Sequence, residues 1–410
     1  MTDDKTRRAK GKLQQSKSKL GTLLNITNAI NDNSSDELLF SILKSIITEN
    51  LNIAKLALFT FNTKQWNVSM SEGISKDECK KINISKLIQS FTDIGTISQE
   101  NNSSPLEYFD IAIPIFHNDR PLAFVLLADV DGEKMEISPI IKHLRFIQTL
   151  INIIVVALEN KRLNKQEINQ AAINKELELA RDMQTLLFPK TLPNTASLKV
   201  TALYLPHSEV GGDYYDVIPL SDGRTAFCIA DVSGKGISAA LLMANFQANL
   251  RTLIRIAIDL DELVESCNQK IIESANFEKF ITLFIGVFDP INKELSYINC
   301  GHQPPLLLQS KKVQLLETGT TILGMFEKLP FLIKGIIPVN NNDILVCFTD
   351  GLTEMPDQNG TQLEVEGIAS ILKDKKTVSE VEDSLTSLIQ QSKTNIGLDD
   401  DITFLAAQFL

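Results

Sequence analysis

Four short segments in the C-terminal half of the chain carry carboxylates at the edges of apolar runs. They are Gly211-Gly212-Asp213-Tyr214-Tyr215-Asp216, Asp231-Val232-Ser233-Gly234-Lys235-Gly236, Thr349-Asp350-Gly351-Leu352-Thr353-Glu354 and Asp399-Asp400-Asp401-Ile402-Thr403. Apolar runs enter Asp231 and Asp350, and another leaves Asp401. Strand ends hold carboxylates rigidly, and the adjacent glycines admit close approach of backbone or phosphate oxygens. Two like charges ~4 Å apart repel by about 4 kcal/mol at an effective dielectric of 20, so such a cluster calls for cations. With oxygen ligands alone, Mg²⁺ or Mn²⁺ is the natural choice. Two ions sharing a carboxylate can hold a water whose pKa falls from about 15.7 toward about 7. Phosphoryl transfer to water suits that arrangement. Each segment alone is ordinary: Asp350-Gly351 reads equally as a turn, and Asp399 to Asp401 as a helix cap or a solvated run.

The elements that must position these groups are strands. Lys199–Tyr204, Thr225–Ala230, Ile281–Phe288, Glu294–Asn299, Pro305–Leu308, Asp343–Phe348 and Ile402–Ala407 read as strands. Two helical stretches separate them: Ser238–Ile258, continuing to about Glu273, and Val378–Gln390. Many strands with few helices point to an α+β sandwich. Upstream, Leu20 to Ile30 and Leu38 to Ile47 have helical spacing on either side of the break Asn33-Ser34-Ser35-Asp36. Leu56–Phe61 is strand-like. Tyr108–Phe116 and Leu122–Leu127 form a hairpin about His117-Asn118-Asp119-Arg120-Pro121. A helical pattern runs from Ser138 to Phe188, where Pro189 stops it. Ile151, Leu158, Ala172, Leu179 and Leu186 lie on one heptad line that Lys165 interrupts, an imperfect coiled-coil seam. It reads equally as the closing helix of a first domain followed by a separate helix.

Composition narrows the function classes. The chain has 410 residues, 43% of them hydrophobic, enough for two or three cored domains. The best membrane candidate, Phe146–Leu158, is interrupted by Gln148, Thr149 and Asn152, so no transmembrane segment is expected. No apolar leader opens the sequence, and a cytoplasmic setting is expected. Five separated cysteines without a CxxC pair exclude a disulfide scaffold, and four histidines without HExxH exclude a histidine-rich metal site. Net charge −11 argues against nucleic-acid binding. The seven Lys/Arg of residues 1–20 read as a solvated helix start, the alternative being a weak contact with anionic lipid or nucleic acid. Gly234 to Ala239 matches G-x-G-x-x-A, but Asp259 then falls in a helical pattern rather than at a strand end, against dinucleotide binding.

Seven motifs in order carry a family resemblance over roughly residues 175–410. They are Glu178-Leu-Ala-Arg-Asp-Met-Gln184-Thr-Leu-Leu-Phe-Pro189, Val210-Gly-Gly-Asp-Tyr-Tyr-Asp216, Ala230-Asp-Val-Ser-Gly-Lys-Gly236, Phe280-Ile-Thr-Leu-Phe284, Cys300-Gly-His-Gln-Pro-Pro305, Phe348-Thr-Asp-Gly-Leu-Thr-Glu354 and Asp400-Asp-Ile-Thr403. Together they resemble the metal-dependent PPM (PP2C-like) serine/threonine phosphatases, in particular the bacterial SpoIIE/RsbU branch. That resemblance implies an α-β-β-α sandwich, two Mg²⁺ or Mn²⁺ ions, and a phosphoserine or phosphothreonine substrate on a small STAS-type (anti-anti-sigma-like) protein. It implies that Asp231 bridges the ions, assisted by the Val232 carbonyl, with Asp213 or Asp216 on the first ion and Asp350 and Asp400 on the second. Asp401 orients its neighbour, His302 is read as structural, and Lys235 as a loop lysine more than a phosphate contact. Animal relatives carry a histidine where Val232 stands and an N-terminal arginine with no counterpart here.

Residues 15–160 resemble a GAF-type α/β sensor domain, though without the cyclic-nucleotide NKFDE motif. This implies a small ligand or a protein partner, and pairing as a homodimer. The expected organisation is a basic tail (1–14), a GAF-like sensor (15–160), a helical linker and switch (161–189) and the phosphatase domain (190–410). Two rival readings are a catalytically silent PPM-fold scaffold and a two-metal nucleotidyl cyclase.

Overall fold

The computed structural model describes the chain except residues 1, 63, 98–104, 118–119, 130–137, 258, 310–311, 357–360 and 396–399, and the side chains of 2–9, 12 and 393–395. The turn residues Asn118 and Asp119, the acidic Asp399 and the side chains of Lys5, Arg7, Arg8 and Lys12 therefore lie outside the described residues. Two compact units form, residues 1–171 and 172–410.

In the N-terminal unit, α1 (Thr2–Asn31) ends before Asn33, which takes the left-handed conformation at φ 52°. Ser35 then caps α2 (Asp36–Ser45) by accepting the Leu38 N–H. The strands are β1 (Lys55–Asn62), β2 (Gln65–Glu72), β3 (Gly95–Thr96), β4 (Ile111–His117) and β5 (Arg120–Ala128). Between β2 and β3 lie the short helices α3 (Lys76–Lys80) and α4 (Ile84–Ser90). The sheet order is β2-β1-β5-β4-β3, antiparallel throughout. Alternation splits its side chains between two cores. Leu56, Leu58, Val125 and Leu127 join Ile26 of α1 and Leu43 of α2, while Ala57, Phe59, Phe124 and Leu126 meet Cys79 and Ile84.

A 47-residue helix, α5 (Pro139–Thr185), closes the first core with Ile147, Leu150, Ile151, Ile154 and Val155. It contains an 18-residue window of mean hydropathy 1.6, long and apolar enough by composition to cross a membrane. The interrupted run Phe146–Leu158 did not suggest this; in the structure that stretch packs into the N-terminal core. The heptad line divides as well, because Ile151 is buried whereas Leu179 is 55% exposed.

The C-terminal unit is built from β6 (Leu198–Leu205), β7 (Tyr214–Pro219), β8 (Thr225–Val232), α6 (Ile237–Leu253), α7 (Leu260–Ala275), β9 (Ile281–Asp289), β10 (Glu294–Cys300), β11 (Leu306–Gln309), β12 (Lys312–Leu315), β13 (Gly319–Thr320), β14 (Gly335–Pro338), β15 (Ile344–Phe348), α8 (Asp350–Thr353), α9 (Glu364–Leu372), α10 (Val378–Asn395) and β16 (Ile402–Phe409). One sheet runs β13-β10-β9-β8-β7, with β14 also on β10; the other runs β12-β11-β15-β16-β6. Leu345, Cys347, Leu405, Ala407 and Phe409 face the first sheet, where Phe409 meets Phe227 and Phe288. Helices α6 and α7 cover the far side of the first sheet. On the second sheet, Val346, Phe348 and Phe404 turn outward to Ile368 of α9 and Leu385 of α10. This is an α-β-β-α sandwich.

Three differences from the sequence reading stand out. The helical stretch from Ser238 is two helices, because Asp259 caps α7 by accepting the Glu262 N–H. Helix α9 was not foreseen. Tyr214–Pro219, absent from the strands read in the sequence, is a strand buried up to Ile218.

Candidate active site

Two strand ends deliver the carboxylates from the first sheet. Ladder β7–β8 pairs Tyr214 with Ala230, so the same register sets Asp213 opposite Asp231 where the strands end. On the second sheet, β15 pairs antiparallel with β16, joining Phe348 to Phe404. Asp350, just past β15, and Asp400 and Asp401, just before β16, therefore leave that sheet at one end.

Asp213 is 2% exposed, and its Oδ2 accepts hydrogen bonds from the hydroxyls of Thr349, at 2.8 Å, and Thr403. It stands close enough to Asp231 for the two charges to act on each other. Burial, and then the Asp231 charge, push Asp213 well above the usual carboxylate range. Burial pushes Asp231 up to about 7, reinforced by Asp350, Asp400 and Asp401. Asp350 is raised by burial and then by Asp400, with Lys235 pulling the other way. These are repelling carboxylates that share one neighbourhood. Lys235 Nζ lies 2.8 Å from Asp400 Oδ2 but is 57% exposed, so it offsets little of the charge.

Asp401 orients the loop before Asp213. Its Oδ2 accepts the Gly212 N–H and its Oδ1 the His207 N–H, each at 2.8 Å. The approach is close enough that a Cβ on Gly211 would collide with Asp401 Oδ2, and one on Gly351 with the Asp401 carbonyl. Val232, buried at the end of β8, brings its carbonyl beside Gly212.

Asp216 is a correction to the sequence expectation. Three positions from Asp213 along β7, it points to the opposite face of the sheet. There Arg251 of α6 donates to both its oxygens, at 2.6 and 2.9 Å, and Tyr214 Oη and the Val217 N–H donate to it as well. Its acceptors are committed to a structural ion pair, which leaves Asp213 as the first-sheet partner of Asp231. Arg251 was missed in the sequence, where it reads as a solvated residue in the last turn of a helix. Thr349, Thr403 and Gln184 stand inside the quoted motifs, but nothing there marks their roles.

Gln184 of α5 is 6% exposed. It donates to the Gly211 carbonyl at 2.7 Å and accepts the Gly211 N–H at 3.1 Å. Phe188, just beyond α5, stacks on Tyr204 at 4.6 Å between ring centroids. His302 is 7% exposed, and its Nδ1 lies 2.8 Å from Thr282 Oγ1. Burial pulls the imidazole down to about 4, against a smaller opposing pull from the Phe348 backbone. With Asp231, Asp350, Thr282, Gly301 and Gln303, it lines a cavity of about 80 Å³.

Among the described residues, no three His, Cys, Asp or Glu groups stand gathered as a ready cation cage. The donor chemistry nonetheless fits hard divalent cations: oxygen donors, mutually repelling, at the rim of a small polar cavity.

Residues 221–410 match the sequence family described as Stage II sporulation protein E (SpoIIE). This part of the chain is thus similar to SpoIIE-type domains, and its fold is PP2C-like. Phosphatases of the PP2C and SpoIIE type are metal-dependent in general. Protein IcfG of Synechocystis sp. is 31% identical over 223 residues, 47% of this chain and 35% of that protein. Phosphoserine phosphatase RsbU of Bacillus subtilis is 26% identical over 244 residues, 58% of this chain and 70% of RsbU. The chain thus spans 35% of the length of one of these relatives and 70% of the other. The SiaA-PP2C domain of Pseudomonas aeruginosa superposes with a TM-score of 0.52 at 19% identity, covering 59% of this chain and 99% of that domain, and shares its fold.

Proposed function

We propose that the chain is a metal-dependent protein serine/threonine phosphatase acting in the cytoplasm on a phosphorylated signalling protein of STAS type. The observation that carries this reading is the meeting of Asp213, Asp231, Asp350 and Asp400, from the ends of two facing sheets, around one electrostatic neighbourhood. Two divalent cations bound there, Mg²⁺ or Mn²⁺, supply charge neutralisation and an activated water for hydrolysis of a phosphate ester. Asp231 is the residue to touch both ions, helped by the Val232 carbonyl. Asp213 serves the first ion; Asp350 and Asp400 serve the second. Thr349 and Thr403 fix the Asp213 carboxylate, and Asp401 fixes the loop that carries it. The name of RsbU, a phosphoserine phosphatase, supports the substrate class.

Regulation fits the same reading. The N-terminal unit acts as a GAF-like sensor of a small ligand or partner, and α5 carries its state to Gln184 and so to the loop of Asp213. Exposed apolar positions on α5, Ile168, Ile173 and Leu179, suit pairing of two chains. The test is phosphate release from a phosphoserine-bearing STAS protein by the full-length chain, with Mn²⁺ and with chelator. Release that needs the metal supports the reading. Release that persists in chelator contradicts it, and no release with any phosphoprotein favours a silent scaffold.

A further inference from the structure

A phosphate ester brings negative charge to a centre lined by carboxylates, and a lysine or arginine beside the reacting group commonly holds its oxygens. Several basic side chains near the site have other tasks. Arg251 is committed to Asp216 on the opposite face of the sheet. Arg181 pairs with Glu209. Lys279 Nζ donates to the Ser233 carbonyl at 2.8 Å and braces the chain just after Asp231. Lys235 is placed differently. Its Nζ lies 2.8 Å from Asp400 Oδ2, and its charge is felt by Asp350 as well. The sequence reads Lys235 first as a loop lysine; its place over the carboxylates changes that reading.

The loop that carries it has a fixed root and a pliable crest. At the root, the Ser233 N–H donates to the Phe280 carbonyl at 3.0 Å, and Ser233 Oγ accepts the Phe280 N–H at 2.9 Å. These bonds and Lys279 tie the segment after Asp231 to the start of β9. At the crest, Lys235 stands between Gly234 and Gly236, both left-handed at φ 84° and 75°. Glycine on either side lets the lysine re-aim without disturbing Asp231. Its pair with Asp400 is 57% exposed on the lysine side, so giving it up costs little. Asp400 is also the residue read above as serving the second ion, so the pair and that ion draw on the same carboxylate.

We propose that Lys235 anchors the phosphate of the substrate: the Asp400 pair is its resting position, and in the loaded centre Nζ turns to the phosphoryl oxygens. A lysine ammonium grips phosphate as a point charge with rotatable donors and needs no fixed fork geometry, which suits an arm that moves. The inference rests on the phosphatase reading of the same site, but it concerns the hold on phosphate rather than the cations.

The experiment uses the full-length chain with saturating Mn²⁺. Calorimetry reads the affinity for inorganic phosphate, and steady-state kinetics read kcat/KM for a phosphoserine-bearing STAS protein. Lys235→Gln weakens phosphate binding by about 10-fold or more, the scale of one lost hydrogen bond to a charged group, and lowers kcat/KM at least as far. Lys235→Arg recovers most of both losses. Lys270→Gln, which removes an exposed lysine paired with Glu273 on α7, changes neither. Mn²⁺ affinity measured without phosphate is not weakened in Lys235→Gln, because the residue holds the anion and not the metal. Should Lys235→Gln fail to fold, Lys235→Met takes its place with the same expectations. Phosphate affinity and kcat/KM unchanged in Lys235→Gln overturn the inference and leave the phosphatase reading standing. A Mn²⁺ affinity that falls as far as the phosphate affinity does the same, since the lysine would then belong to the frame of the cation centre. A wild type that binds Mn²⁺ but neither binds phosphate nor releases it overturns both.

Discussion

At the scale of single residues, Asp213 and Asp216 show how little separates a candidate ligand from a structural pair. Both lie in one short acidic segment, and sequence alone left them as alternatives. The period of two along β7 sends them to opposite faces, and Arg251 claims Asp216. Asp216→Ala is therefore expected to destabilise the fold without changing cation affinity. The loss should be about 2–3 kcal/mol, below that of a wholly buried pair because Arg251 keeps contact with solvent. Urea unfolding and calorimetric Mn²⁺ titration together check this; a large drop in affinity with unchanged stability would reverse the assignment. The strand-end placement of Asp231 and Asp350 was legible because apolar runs end on them. Asp401, expected from the resemblance to orient its neighbour, accepts two backbone N–H groups with its carboxylate oxygens. Arg251 was illegible, since its role exists only once β7 and α6 are packed.

At the scale of elements, the sequence displayed seven of the C-terminal strands through their apolar alternation. It hid β7, whose short run of tyrosines and aspartate lacks a clear apolar alternation although nearly every residue is buried. It also hid the break between α6 and α7, which depends on a capping aspartate inside a continuous helical pattern. The end of α5 has the clearest consequence for function. Gln184 satisfies both backbone groups of Gly211, next to the Gly212 N–H that Asp401 accepts. Gln184→Leu leaves those two groups unmet at about 1–3 kcal/mol each. The expected outcome is a Mn²⁺ affinity and a phosphatase rate lowered by about 10-fold or more, with the helical circular dichroism retained. An unchanged affinity and rate would sever α5 from the site.

At the scale of the whole molecule, the carboxylate cluster makes stability depend on pH and metal. Asp231 is raised to about 7, so its protonated form favours the folded state. The metal-free chain should keep that stabilisation below about pH 4, the ordinary carboxylate range, and lose it as pH rises through about 7. Mn²⁺ at 100 times its dissociation constant should restore about 2.7 kcal/mol at neutral pH. Thermal midpoints measured across pH in chelator and in Mn²⁺ test both statements; a metal-free stability that rises with pH over that range would contradict the first. All five cysteines are free and buried, so a thiol reagent should titrate them only after unfolding. The most direct measurement for the molecule as a whole is phosphate release from a phosphoserine-bearing STAS protein, comparing wild type with Asp231→Asn in Mn²⁺. Metal-dependent release that falls by at least about 1000-fold in Asp231→Asn is the expected result; release undiminished in that variant would contradict a centre built on Asp231.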